Sequence, residues 1–282
     1  IMLTRLPAAN ATASRLRLST AARRTLWTAQ RETLSHLRDT HADREVYLVG
    51  TAHVSQKSAD EVAELIKLVR PDHVAVELCA ARNARLRAGA NEKDLAQALA
   101  RSFGGADVLG AAFTALNGVW KAYGLVPGID FKSALHAADA VGAKAANIDR
   151  DVDETLRLLR SALGQVDLAK LLTTPPPTAL MSGLMRGGDL ASAVEALKDR
   201  EQVAALRRHM NGVAPSVVEV MLHQRDRHMV KSLRKQCPSG VVVAVVGLAH
   251  MDGIEREWLM QDELERVSPQ AGRAASYSSG AA

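Results

Sequence analysis

"YLVGTAHVSQKSADEVAELI", Tyr47 to Ile66, decides the fold. A short apolar, β-branched run reaches Gly50, and His53 follows where an ordinary strand-to-helix junction carries a turn residue. Ser58 opens a Ser-x-x-Glu capping box with Glu61, and Val62, Leu65, Ile66 and Val69 then recur at helical spacing until Pro71 ends the helix. "DHVAVELC" (Asp72 to Cys79) is a second apolar strand. Strand, helix and strand packed into roughly thirty-five residues predict a βαβ crossover and a parallel pair.

The pattern recurs further along the chain. "PGIDF" (Pro127 to Phe131) is a turn that opens a helix, and "KAANID" (Lys144 to Asp149) reads as a third strand. "GVVVAVVG" (Gly240 to Gly247) is a fourth strand, and it closes on a second Gly-x-x-His, Gly247 to His250, before the last helix. The predicted class is α/β: a mainly parallel sheet with covering helices and a helical insertion after the second strand. Residues 1–44 read as a basic N-terminal arm. Residues 45–267 read as the α/β domain, with helical insertions over about 80–125 and 163–236, and 268–282 as a disordered tail.

Bulk chemistry narrows the function classes. The formal charge is +5, but residues 1–31 hold six arginines and no acid, so the rest of the chain carries close to −1. The basic balance belongs to the arm, which argues against a nucleic-acid-binding fold, because phosphate binding needs a basic face on the domain itself. The arm's Ala, Ser, Thr and Arg have the composition of an organelle transit segment, which points first to the mitochondrion and second to the chloroplast. It could also dock on an acidic partner or membrane surface, and the apolar stretch around 80–125 is a second candidate surface for an assembly or oligomer. "VVVAVVGLA" and "VLGAAFTALNGVW" are too short and too interrupted to span a bilayer. The two cysteines, Cys79 and Cys237, give neither a disulfide scaffold nor a zinc-type spacing.

Just beyond the four strands stand His53, Glu77, Asp149 with Arg150, and His250. Open α/β sheets bind their ligands outside the carboxyl ends of the strands. Two imidazoles and a carboxylate there form a borderline-soft set suited to Zn, Mn, Fe or Co, with Arg150 or Arg82 placed to stabilise developing negative charge. Gly50 and Gly247 would let the chain turn sharply off its strands. Each signal also has a plain structural account. Glu77 could pair with Arg82 or Arg85, Asp149 and Arg150 could form a surface ion pair, and His223, Asp226 and His228 could lie on a solvated helix face.

Taken in order, these blocks resemble the TraB family, the group that includes PrgY, GumN and the Tiki proteases. The similarity runs from Val46 to about Trp258. It covers "LVGTAHVSQKSADEVAELIKLVRPDHVAVELCAARNARL", the middle block ending in "NIDRDVDETLRL", "QRDRHM" and "VVAVVGLAHMDGI". The resemblance implies a Tiki-related α/β fold and a metal-dependent hydrolase site, peptidase-like in Tiki, centred on His53, Glu77 and His250 with Arg82 and Arg150 as charged supports. This chain departs from the pattern twice. Asp130 stands at the acidic position of the "PGxE" block, and Gln224 replaces the glutamate before Arg-Asp, where a carboxylate could orient Arg225 or a histidine. A non-catalytic scaffold that keeps the fold is the rival expectation, and small-ligand or haem-like binding at the same rim is a third.

Overall fold

The computed structural model describes residues 33–39, 41–52, 56–88, 128–175 and 199–267. Its centre is a five-stranded sheet: β1 (Leu34–Asp39), β2 (Arg44–Thr51), β3 (His73–Val76), β4 (Lys144–Asn147) and β5 (Gly240–Gly247), in the spatial order β1-β2-β5-β3-β4. All neighbours are parallel except β1 and β2, which pair antiparallel from Leu34 opposite Val49 to Asp39 opposite Arg44. This is the expected α/β class with a mainly parallel sheet.

The last strand in the sequence takes the central place. β5 pairs with β2 from Arg44↔Gly240 to Thr51↔Gly247, and with β3 from His73↔Val242 to Val76↔Val245. The first two strands read from the sequence are therefore parallel but not adjacent. The physical reason is composition: Val242 to Val246 are fully buried, and a strand apolar on both faces belongs where both faces are covered.

Alternation along the strands sends side chains into two cores. On one face Tyr47, Val49, Val74, Val76, Val243 and Val245 pack with α1 (Gln56–Val69) and α3 (Ile129–Val141). On the other, Val46, Leu48, Ala75, Val242, Ala244 and Val246 meet α8 (Gln224–Gln236) and α9 (Leu248–Val267). The remaining described helices are α2 (Ala80–Arg87), α4 (Val152–Leu163), α5 (Leu168–Thr173), α6 (Arg200–Val213) and α7 (Pro215–Val218). α7 runs into α8 through a π-helical turn, Glu219–His223.

Two sequence expectations meet a different structure. β1 falls inside the stretch read as a basic arm. Its buried positions, Leu34, Leu37 and Asp39, neither alternate strictly nor stay apolar, so no period-2 signal marks it. Gly50 does not turn the chain. It lies within β2, and neither it nor Gly247 has a positive φ. Gly50 is instead needed for close approach, because a Cβ there would collide with Met251 and Leu248 of α9. Of the expected insertions, the part of 80–125 beyond residue 88 and residues 176–198 of 163–236 lie outside the described residues, as do the expected tail beyond 267 and the arm before residue 33. Among the described residues no helix is long and apolar enough to cross a membrane.

Candidate functional site

The carboxyl ends of β3, β4 and β5 bring together Glu77, Asp149, Arg150 and His250, all buried. β-pairing continues past the strand ends: Glu77 N–H donates to Val245 O at 3.1 Å and Asp149 N–H to Leu78 O at 3.3 Å. Both acids are thus placed by backbone rather than by flexible loop. β5 passes directly into α9, so His250 sits in the first turn of a helix seated on the sheet.

Glu77 is the hub of the cluster. Its Oε2 accepts the Gly247 N–H at 2.6 Å, its Oε1 receives Arg225 Nη2, and His250 Nε2 stands 3.4 Å from Oε1. The described partners of Glu77 do not include Arg82 or Arg85. Arg225 also donates from Nε and Nη2 to the two oxygens of Asp149, at 3.0 and 2.9 Å, a bidentate clamp. On its far side His250 Nδ1 lies 2.6 Å from Asp226 Oδ1. Burial alone would depress the imidazole, but the Glu77 charge and hydrogen bonds to Asp226 and Glu77 outweigh it, and its pKa is pushed up to about 9. The ring is therefore an imidazolium at neutral pH. Burial likewise opposes the Arg225 charge, and Glu77 and Asp149 overcome it, raising that guanidinium above its ordinary value.

Arg150 is held from three sides. Nε donates to Thr155 Oγ1 at 3.1 Å, Nη1 to Gln224 Oε1 at 2.9 Å and Nη2 to Val220 O at 3.2 Å. The π turn supplies the last acceptor. In an α-helix the Gln224 N–H would bond Val220 O, whereas here it reaches back five residues to Glu219 O, and the Val220 carbonyl receives Arg150. Met221 O of the same turn accepts Arg225 Nη1 at 3.2 Å. Arg82, in α2, is more open, with its side chain 24% exposed and its Nη1 3.7 Å from Asp149 Oδ2.

Of the residues singled out from the sequence, Glu77, Asp149, Arg150, Arg82 and His250 thus converge on one rim. His53 lies outside the described residues, but its strand does not. Thr51, two residues before it, pairs with Gly247, three residues before His250. Asp130, at the position of the expected glutamate, is fully buried and bonded to the Thr51 hydroxyl. Arg225 and Asp226 belong to the cluster too, so the solvated-face account of "HQRDRH" does not hold for them. A signal for Asp226 was present: it shares helical spacing with Met229, Val230 and Leu233, which line the second core.

His250 Nε2 and Glu77 Oε1 fit a metal site in one respect. Two ligands of one tetrahedral zinc-like ion stand roughly 3.3–3.6 Å apart, given metal–ligand bonds of about 2.0–2.2 Å. A ligand histidine typically also has its second nitrogen on a carboxylate, the place Asp226 occupies. Among the described residues, no group of three His, Cys, Asp or Glu side chains is placed to hold an ion.

The chain is similar to known proteins across the segments that carry this rim. The sequence profile of the TraB/PrgY/gumN family matches residues 36–107 and 135–262, spans that hold every rim residue named above except Asp130. An uncharacterised protein of Methanocaldococcus jannaschii is 30% identical over 219 residues, 75% of this chain and 53% of that protein. TraB domain-containing proteins of Bos taurus and Homo sapiens are each 26% identical over 252 residues, covering 79% of this chain and 64% and 65% of their own lengths. The chain therefore spans between about half and two thirds of the length of these relatives. With its profile matched across most of the α/β domain, the chain belongs to the TraB/PrgY/gumN family.

Proposed function

We propose that the rim is a metal-dependent hydrolase site, peptidase-like in its chemistry, with His53, Glu77 and His250 as the ligands. The observation that supports it is the parallel register of β2 and β5, which ends both Gly-x-x-His strands side by side with Glu77 next to the second. Thr51, two residues before His53, is paired with Gly247, three residues before His250. A divalent ion at such a site would polarise a carbonyl and bring its bound water toward neutral pKa.

The chain's own residues have separate tasks. Arg225 bridges Glu77 and Asp149 and keeps both carboxylates in place. Arg150 ties β4 to the π turn, which positions Arg225 and Gln224. Arg82, partly exposed and 3.7 Å from Asp149 Oδ2, is a guanidinium placed to meet an anionic group of a substrate. A metal held at His250 Nε2 would take the place of the proton on that nitrogen, which faces Glu77, since a coordinated imidazole must be neutral there.

Metal analysis of protein purified without chelator tests the reading. The expected result is about one divalent ion per chain and a melting temperature lowered by EDTA, with both effects lost in His250→Ala. Absence of divalent metal above trace, together with unchanged melting in EDTA, would reject it. The rival reading, an accessory subunit of a mitochondrial assembly docked through the Arg-rich segment, is favoured by Gln224 standing where the family has a carboxylate. It predicts that deleting residues 1–31 abolishes co-purification with a large complex and organellar targeting together.

A further inference from the structure

Gln224 raises the question of which carboxylate, if any, orients His250. The glutamine side chain is turned to Arg150. Asp226, two residues on, reaches the imidazole instead. We propose that Asp226 is the positioning residue of the rim, holding His250 Nδ1 so that Nε2 faces Glu77, and that Gly253 is the notch in α9 that admits it. This assignment rests on the reading of His250 as a rim ligand.

Three observations carry it. The Nδ1 to Oδ1 distance is 2.6 Å, and Asp226 is 1% exposed, so no substrate reaches this carboxylate and it acts through His250. Gly253 follows His250 by three residues and therefore lies on the same face of α9. A Cβ at Gly253 would run into the Asp226 carboxylate. The helix that carries the ring thus also carries the gap its partner fills. Finally, Asp226 shares its helix face with Met229, Val230 and Leu233, whose burial fixes the rotation of α8. The carboxylate stands on a rigid element, the arrangement precise positioning requires.

The chemical consequence concerns tautomer and direction. An imidazole without a partner at Nδ1 can flip its ring and can carry its hydrogen on either nitrogen. A carboxylate at Nδ1 keeps the hydrogen there, so the lone pair that a rim ligand can use sits on Nε2. By this account the loss of an acid at position 224 leaves His250 oriented, because the orienting acid is Asp226.

The test uses the full chain labelled with nitrogen-15 at its nine histidines, His250 being assigned by its loss in His250→Gln. In metal-free protein the His250 Nδ1–H signal is expected strongly downfield and protected from exchange. Asp226→Ala and Gly253→Ala should each lose it, while Asp226→Asn, which keeps an oxygen at the same reach, should retain it. Titration with Zn²⁺ should show affinity lowered roughly 10–100-fold in the first two variants and less in the third. Should Asp226→Ala fail to fold, Asp226→Leu, close in volume and without an acceptor, stands in. Unchanged His250 signals and Zn²⁺ affinity in folded Asp226→Ala (or Leu) and Gly253→Ala would overturn the assignment. If even the unaltered chain binds no Zn²⁺, the hydrolase reading fails, and the His250 signals still decide the role of Asp226.

Discussion

Two clusters of buried charge sit at opposite ends of the same sheet, and they are built differently. At the amino ends of the parallel strands, Asp39 meets Arg44 Nη1 at 3.3 Å and Arg234 Nη1 at 3.5 Å. The charges there end on inert groups. Arg44 Nη2 donates to the carbonyls of Arg234 and Pro238, and both guanidiniums lie over the Trp258 ring, 5.7 and 4.5 Å from its centroid. Asp39 Oδ1 accepts the N–H groups of His41 and Ala42 in the β1–β2 turn. This cluster is a clasp that ties the turn to α8 and α9. At the carboxyl ends Glu77, Asp149 and Asp226 pair side chain to side chain with Arg225 and His250, while Arg150 is held by Thr155, Gln224 and the Val220 carbonyl. Buried ion pairs seldom improve stability over apolar packing, so neither cluster is accounted for by stability alone.

The comparison is sharpest in two substitutions of similar cost and different consequence. Trp258→Ala removes a fully buried ring from the clasp and is expected to cost about 3–5 kcal/mol in denaturant unfolding. Metal stoichiometry of the folded fraction should stay unchanged. Arg225→Met leaves Glu77 and Asp149 without their shared cation, an uncompensated buried charge that costs about 3–5 kcal/mol near neutral pH. Here the stability loss should come with loss of metal, and it should shrink as the carboxylates are protonated in acid. A metal content that falls with Trp258→Ala and survives Arg225→Met would reverse the roles assigned to the two ends.

Acidity separates the clusters at the next level. The folded pKa of His250, about 9, lies above the ordinary 6.5. In metal-free protein its imidazolium therefore adds stability that is fully present below pH 6.5 and is lost as pH rises through 9. The contribution is on the order of 3 kcal/mol. Unfolding measured between pH 6 and 10 should show this decline, and His250→Gln should flatten it. Burial pushes the Cys237 thiol, near Arg44, up to about 11, so variants of the clasp should leave the slope between pH 6.5 and 9 intact.

The sequence made the two ends unequally readable. Hydrophobic runs marked β2 to β5, and the residues just beyond them, Glu77, Asp149, Arg150 and His250, were found because a strand end is a definite place in the chain. Arg225 and Asp226 were hidden by their neighbours. In "HQRDRH" every residue is polar, and apolar periodicity cannot tell an inward charge from a solvated one unless the pattern is continued forward to Met229 and Leu233. The clasp was hidden for a related reason. Its acid lies in β1, whose buried face ends in a charge satisfied by Arg44 across the turn and by Arg234, a partner far away in sequence. The central place of β5 was also unreadable, since strand order depends on long-range pairing.

The smallest expected effect addresses the family departure directly. Gln224 Oε1 accepts Arg150 Nη1 at 2.9 Å in a partly buried setting, and the described bonds of its side chain reach neither Glu77 nor His250. Gln224→Glu would replace a neutral acceptor with a charged one and shorten that bond, a gain opposed by partial desolvation of the new carboxylate. The net change in unfolding free energy should stay below about 1 kcal/mol. Zn²⁺ affinity should move by less than the roughly tenfold shift expected when a group that orients a metal ligand is altered. A rise of a hundredfold or more on Gln224→Glu would mean that the carboxylate at this position serves the histidines after all, and the separation drawn between an Arg150 bracket at Gln224 and an imidazole bracket at Asp226 would collapse.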